Sequence, residues 1–136
     1  MAENHPWNPR LDVGIEALDH DHHTQIALLA AFTEALEQGR PTLARRLGEE
    51  LGNYSRAHFR TEELLMEAKG YERKAEHVAE HDALMSRIAE VNAAQEAGNT
   101  DLAISLALDF RTSLAAHVNE ADRRVAEHGK APAHAV

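Results

Sequence analysis

Apolar residues recur every three or four positions along most of the chain, which is the period of an amphipathic α-helix. Four such stretches are separated by short breaks at Gly39, Gly70 and Gly98. Glycine commonly follows the last turn of a helix, and Pro41 suits the first turn of the next one. The pattern therefore predicts four helices, at about 16–38, 41–69, 73–97 and 100–128.

Short connections between long helices favour antiparallel neighbours. We therefore expect an all-α fold, an up-down-up-down antiparallel four-helix bundle. Residues 1–15 lack this period and predict an irregular N-terminal arm, with Trp7 docked on the bundle. A length of 136 residues is typical of one domain, so 1–136 is treated as a single domain with its bundle at about 16–128.

Composition narrows the possible functions. The chain contains no cysteine, which excludes disulfides and thiolate metal sites. A net charge of −9 argues against nucleic-acid binding and fits a self-repelling monomer. No apolar run approaches the ~20 residues of a membrane span, and no signal peptide is visible. We expect a cytoplasmic protein.

Polar residues interrupt the apolar stripes at regular helical spacing. Ten histidines are dispersed along the chain, a high number for this length. The interrupting residues are His22, His58, Glu62, His77, His81, His117 and Asp122. Any one i,i+4 histidine pair is a weak signal, because roughly one such pair is expected by chance.

The bundle topology brings these seven residues together. In an antiparallel bundle, the first and third helices begin at the end where the second and fourth finish. All seven residues then lie within about 6–17 Å of that end. Buried histidine and carboxylate without partners would be costly there, which favours a metal site. Imidazole and carboxylate without thiol suit iron, manganese or zinc.

The number of ligands favours two metal ions. A single zinc would leave at least three of the seven residues unexplained. Two six-coordinate irons offer about twelve positions. Five histidines, two bridging carboxylates and one bridging oxygen would fill all but one of them. The open position could take a small molecule such as dioxygen.

Four segments of the chain resemble the bacterial hemerythrins. They are residues 13–22, 58–63, 71–81 and 117–122, and they contain all seven candidate ligands in order. The resemblance implies two oxo- or hydroxo-bridged iron ions that bind dioxygen reversibly, for carriage, storage or delivery. It implies a protein that is not an enzyme, with an oxygen-consuming enzyme as a possible delivery partner. A di-iron oxidase or peroxidase, or an oxygen or nitric oxide sensor, remains the alternative.

The resemblance also implies a role for each residue. One iron would be held by His77, His81 and His117, and the other, with the open position, by His22 and His58. Glu62 and Asp122 would bridge. The oxygen pocket would be lined by Gln25, Phe59, Leu114 and Val118. Since family members usually carry an apolar residue at position 25, Gln25 predicts faster autoxidation, unless its side chain extends to solvent instead.

Two local expectations complete the sequence analysis. His117 and Asp122 are five positions apart, which turns them about 140° from each other on a regular helix. We expect Asp122 to reach the site from the flank, in preference to a π-type bulge between them. The other histidines and one further glutamate should face solvent and not bind metal: His5, His20, His23, His128, His134 and Glu63.

Overall fold

The computed structural model describes the backbone of residues 16–130 and the side chains of residues 19–127. The regular structure in this range is helical. Its elements are α1 (Glu16–Glu37), α2 (Pro41–Ala68), α3 (Lys74–Glu96), α4 (Thr100–His117), a π-helical turn (Val118–Asp122) and α5 (Arg123–Lys130). The first three predicted helices are confirmed to within one residue at each end, and the fourth, predicted at about 100–128, corresponds to α4, the π-helical turn and α5 taken together. The N-terminal arm and Trp7 lie outside the described residues.

The first three helices end in the same way. In each case the glycine after the helix has a positive φ, which residues with a Cβ rarely adopt. These angles are 68° at Gly39, 65° at Gly70 and 76° at Gly98. After α1, the Arg40 N–H donates to the Ala35 carbonyl at 2.9 Å, which satisfies an acceptor of the last turn. The chain therefore reverses within a few residues.

The helices pack as a closed ring of neighbours. α1 contacts α2, α2 contacts α3, α3 contacts α4, and α1 also contacts α4. This arrangement confirms the predicted four-helix bundle. Its apolar core is built mostly of alanine and aliphatic side chains around Phe32 and Phe110, both fully buried. Among the described helices, none has the length and apolar character needed to cross a membrane. That residues 1–136 form one domain stays a prediction.

The contact between α2 and α3 is close at Gly48. The Asn92 side chain of α3 donates to the Gly48 carbonyl at 3.1 Å. A Cβ at Gly48 would overlap Asn92 Oδ1 and would lie 3.2 Å from Cε1 of Phe32. At Gly52, one turn later, a Cβ would meet only Ile88 Cγ2 at 3.7 Å, an ordinary contact. Only the first of these glycines is therefore required by packing.

We predict opposite effects for the same substitution at these two positions. Gly52→Ala should stabilise the fold by up to about 1 kcal/mol, because alanine is the better helix former. Gly48→Ala should destabilise it by about 1–2 kcal/mol, because overpacking and the lost Asn92 hydrogen bond outweigh that gain. Urea unfolding of both variants measures the difference. Equal stabilities would show that the contact is not tight.

Candidate metal centre

Seven side chains form a polar layer at one end of the bundle. They come from the start of α1, the last third of α2, the start of α3, and the π-helical turn with the residue before it. All seven are buried: His22, His58, Glu62, His77, His81, His117 and Asp122. Their ligand atoms form two groups, within each of which all atoms lie within 4.8 Å of one another. Both groups include Glu62 and Asp122.

Glu62 lies between the two groups. Its Oε1 is 2.5 Å from His77 Nε2 and 3.0 Å from His81 Nε2. Its Oε2 instead faces His58 Nε2, at 3.6 Å. One carboxylate oxygen thus points to each group.

Asp122 has the same arrangement. Its Oδ1 is 2.8 Å from His77 Nε2 and 2.9 Å from His117 Nε2. Its Oδ2 is 2.9 Å from His22 Nε2. The two carboxylates therefore separate a three-histidine side, formed by His77, His81 and His117, from a two-histidine side, formed by His22 and His58.

The π-helical turn brings Asp122 onto the ligand face. The Arg123 N–H donates to the Val118 carbonyl, an i→i+5 bond that replaces the i→i+4 bond of an α-helix. The prediction that Asp122 approaches from the flank is wrong. The wider turn takes up one extra residue, so His117 and Asp122, five apart, both face the polar layer. Periodicity could not show this, because it assumes a constant number of residues per turn.

Three histidines are oriented by carboxylates on the neighbouring helix. In each case the Nδ1–H donates outward, which leaves Nε2 directed into the polar layer. The pairs are His58 with Asp21 at 2.9 Å, His81 with Glu63 at 2.8 Å, and His117 with Glu80 at 2.8 Å. The helical pattern alone does not identify Asp21 or Glu80 as partners of histidines, and it predicts Glu63 only at the surface.

A sequence signal for these three carboxylates exists. Each lies next to a candidate ligand in the chain: Asp21 before His22, Glu63 after Glu62, and Glu80 before His81. Successive helical residues are about 100° apart, so the neighbour of an inward-facing residue points at the adjacent helix. There it meets that helix's histidine. The supports therefore run from α1 to α2, from α2 to α3, and from α3 to α4.

The support of His58 extends to a tyrosine. Tyr54 OH donates to Asp21 Oδ1 at 2.7 Å, while Asp21 Oδ2 accepts from His58. Burial raises the pKa of Asp21, but the hydrogen bonds from His58 and Tyr54 outweigh it and lower that pKa below its ordinary value. Asp21 is therefore an anionic acceptor fixed by two donors.

Charge is distributed unequally between the two sides. Burial lowers the pKa of His77 and His117, but their contacts with Asp122 and Glu62 outweigh it, raising these values to about 9 and 10. Burial is the stronger effect at His58 and lowers its pKa. Without metal, His77 and His117 are cationic near neutral pH and His58 is neutral.

The two carboxylates balance that positive charge. Burial raises the pKa of Glu62, as does the charge of Asp122, yet the histidines lower it to about 2. Burial also raises the pKa of Asp122, and its histidine contacts lower it well below the ordinary value. Both carboxylates are therefore ionised near neutral pH, as metal ligands must be.

The residues fit a metal. Several buried atoms approach one another at 2.8–3.9 Å without the geometry of a hydrogen bond, namely His58 Nε2, His117 Nε2, Glu62 Oε2 and both carboxylate oxygens of Asp122. Buried polar atoms without a hydrogen bond are rare and unfavourable. All of these atoms belong to residues of the two ligand groups, where bound cations would satisfy them. Nitrogen and oxygen ligands without thiol suit iron, manganese or zinc.

The predicted oxygen-pocket residues are all buried. They are Gln25, Phe59, Leu114 and Val118. The Phe59 ring stacks on His81, with centroids 4.2 Å apart and planes 13° from parallel. The alternative that Gln25 extends to solvent is wrong, since its amide is fully buried and donates to Ser55 Oγ at 2.9 Å. That these residues line an oxygen pocket stays a prediction.

The other histidines divide between exposed and undescribed positions. His20 is exposed, as predicted, and His23 is half-buried. His5, His134 and the side chain of His128 lie outside the described residues. Of the histidines whose side chains are described, five therefore belong to the polar layer.

Comparison with known proteins agrees with this geometry. The family model of the Hemerythrin HHE cation binding domain matches residues 13–128. The chain belongs to the hemerythrin family. The family assignment confirms the resemblance found in the sequence, and a cation-binding domain agrees with the cluster of buried ligand atoms.

Two similar proteins illustrate the match. The bacteriohemerythrin of Stenotrophomonas maltophilia (strain R551-3) is 29% identical over 125 residues, which cover 92% of this chain and 81% of that protein. The bacteriohemerythrin of Pseudomonas aeruginosa (strain LESB58) is 28% identical over 92 residues, 68% of this chain and 60% of that protein. No solved structure gives a significant match.

We predict opposite pH dependences of stability with and without metal. In the metal-free chain, the raised pKa values of His77 and His117 stabilise the fold below the unfolded-state pKa of about 6.5. That contribution is lost as pH rises to about 10. In the metal-loaded chain these imidazoles are already deprotonated, so stability should instead fall as pH drops below about 6.5.

Denaturant unfolding across this pH range, with a chelator or with added metal, measures both curves. A metal-free chain whose stability is constant between about pH 7 and 10 would contradict the prediction.

Proposed function

We propose that this hemerythrin-family chain holds two iron ions, bridged by an oxo or hydroxo oxygen, and binds dioxygen reversibly. The observation that carries the proposal is the position of the two carboxylates. Glu62 and Asp122 each direct one oxygen to the three-histidine side and the other to the two-histidine side. A carboxylate between two groups of imidazoles is suited to bridging two metal ions, a common use of four-helix-bundle cores.

The unequal division of histidines supports a ligand site on one ion. His77, His81 and His117 would hold the first iron, and His22 and His58 the second. With both carboxylates shared, the second iron has one protein ligand fewer and keeps a position for a small molecule. When bound, the iron supplies the place where dioxygen is held. Phe59, Leu114 and Val118 would exclude water from it.

Carriage, storage or delivery of oxygen is the role we propose, in preference to catalysis. The protein would work in the cytoplasm as a monomer, and an oxygen-consuming enzyme would be its delivery partner. The net charge of −9 supports a chain that repels its own copies. Three of the four predicted pocket residues are apolar, which supports protection of a bound ligand from water.

A di-iron oxidase or peroxidase is the second candidate, and Gln25 is the observation that favours it. A buried amide in the predicted pocket can hold water or supply a hydrogen bond, and both assist the proton transfers that end reversible binding. Oxygen carriage remains the first candidate, because the other three predicted pocket residues are apolar.

We predict two irons per chain after loading with ferrous iron without oxygen. Glu62→Ala and Asp122→Ala should lower the binding of both ions, since each residue is proposed to bridge. His22→Ala should lower iron to about one per chain, because the three-histidine side keeps its ligands. Elemental analysis measures each content. His20→Ala, an exposed histidine on the same helix, is the control and should keep two.

A reproducible single zinc, without iron, would contradict the two-iron proposal, and so would loss of iron in the His20 variant equal to that in the His22 variant.

We predict that the reduced, iron-loaded protein gains a visible charge-transfer absorption when mixed with oxygen. For a carrier, this absorption should vanish on deoxygenation and return through repeated cycles. Stopped-flow spectroscopy measures the change, with Glu62→Ala as the control that should lack it. Rapid decay together with continuous consumption of an added reductant would instead favour the oxidase or peroxidase.

A further inference from the structure

A polar pair lies beside the two-histidine side without belonging to the ligand set. Gln25 of α1 and Ser55 of α2 are both fully buried. The Gln25 amide donates from Nε2 to Ser55 Oγ at 2.9 Å, which joins the two helices. The other end of this amide, Oε1, has no hydrogen-bond partner in the part of the chain that is described.

The positions of the pair connect it with the two-histidine side. Gln25 follows His22 by three residues, and Ser55 precedes His58 by three. Residues three apart on a helix share a face, with Cβ atoms about 5–6 Å apart. Each member of the pair therefore neighbours one ligand of the same side, one turn deeper in the bundle. The Phe59 ring lies against both sides, stacked on His81 and with its centroid 5.5 Å from that of His58.

A buried amide with one unpartnered end lowers the stability of the fold, so folding by itself gives no reason for this side chain. An apolar side chain of similar size would fill the same space without that loss. The pair can also adapt, because a serine hydroxyl both donates and accepts. If Ser55 donates to the amide oxygen, the amide NH₂ becomes the free end and can donate to a neighbour. The amide can thus serve a ligand that accepts a hydrogen bond.

We propose that Gln25, held by Ser55, donates a hydrogen bond to a small anionic ligand on the two-histidine side. This inference rests on the proposed function, because it takes that side to be where a small ligand is held. Gln25 would then be a specificity-determining residue that favours small anions able to accept a hydrogen bond. Azide is such an anion and serves as the probe. Because Ser55 can donate to the amide oxygen, the amide can turn its NH₂ group toward such a ligand and donate to it.

Azide titration of the oxidised, iron-loaded protein tests the proposal. Gln25→Met keeps the length of the side chain and removes its hydrogen bond. Its Kd for azide should rise about tenfold or more, the loss typical of a hydrogen bond to a charged group. Ser55→Ala should raise the Kd less, because the amide remains but loses its anchor.

Gln95→Met is the matched control. Gln95 is also a buried glutamine, but it lies at the opposite end of the bundle and donates to the Pro41 carbonyl at 3.2 Å. Its substitution should leave the Kd for azide unchanged. An unchanged Kd in Gln25→Met, at equal iron content, would overturn the proposal.

Unfolding of the metal-free chain gives a readout independent of iron. The double variant Gln25→Met with Ser55→Ala should raise the urea midpoint, because it removes the unpartnered amide atom together with both partners of the buried hydrogen bond. Gln95→Met should lower the midpoint, because it leaves the Pro41 carbonyl without its donor. A lower midpoint in the double variant would make the pair a structural feature and overturn the inference. Iron content is measured before the azide titration. A protein that binds no iron would contradict the proposed function, whereas the unfolding of the metal-free chain would still decide the role of Gln25.

Discussion

Two buried carboxylates determine much of the rest of this structure. Glu62 and Asp122 are ionised in a core where an isolated charge would cost several kcal/mol, so cationic partners must surround them. Five imidazoles from the four helices surround them. In the metal-free state His77 and His117 supply the positive charge by holding protons, since their pKa values are raised to about 9 and 10. A metal would replace these protons with its own charge, so one set of residues supports both states.

The bundle supplies the rigidity that this layer needs. Carboxylates of α1, α2 and α3 each orient a histidine on the next helix, so a rotation of any helix would disturb a ligand on its neighbour. The same interfaces are held elsewhere by close packing, as at Gly48 and Asn92. Packing and ligand orientation therefore depend on the same helix–helix contacts. Within residues 16–130, the one departure from α-helical geometry inside a helix is the π-helical turn, where one extra residue brings Asp122 into the layer.

Much of this arrangement could be predicted from the sequence. Helix bounds follow from apolar periodicity and from three glycines, and antiparallel topology then brings seven polar residues to one level. The expected flank approach of Asp122 is wrong, because the energy that distorts a helix into a π-helical turn comes from tertiary contacts, which apolar periodicity does not contain. The partners of Asp21, Glu63 and Glu80 were missed for a similar reason. Their exposed flank suggests solvent, and only the packed neighbour shows what they contact.

The asymmetry of the centre is the feature with the most consequence for chemistry. On the three-histidine side, His77 and His117 carry raised pKa values, whereas burial lowers the pKa of His58 on the two-histidine side. The two-histidine side also has a buried amide one turn from His22, that of Gln25, with one end unpartnered among the described residues. An unpartnered polar atom in a packed core lowers the stability of the fold. This atom and the smaller number of histidines together distinguish the two-histidine side, which is the side proposed to hold a small ligand.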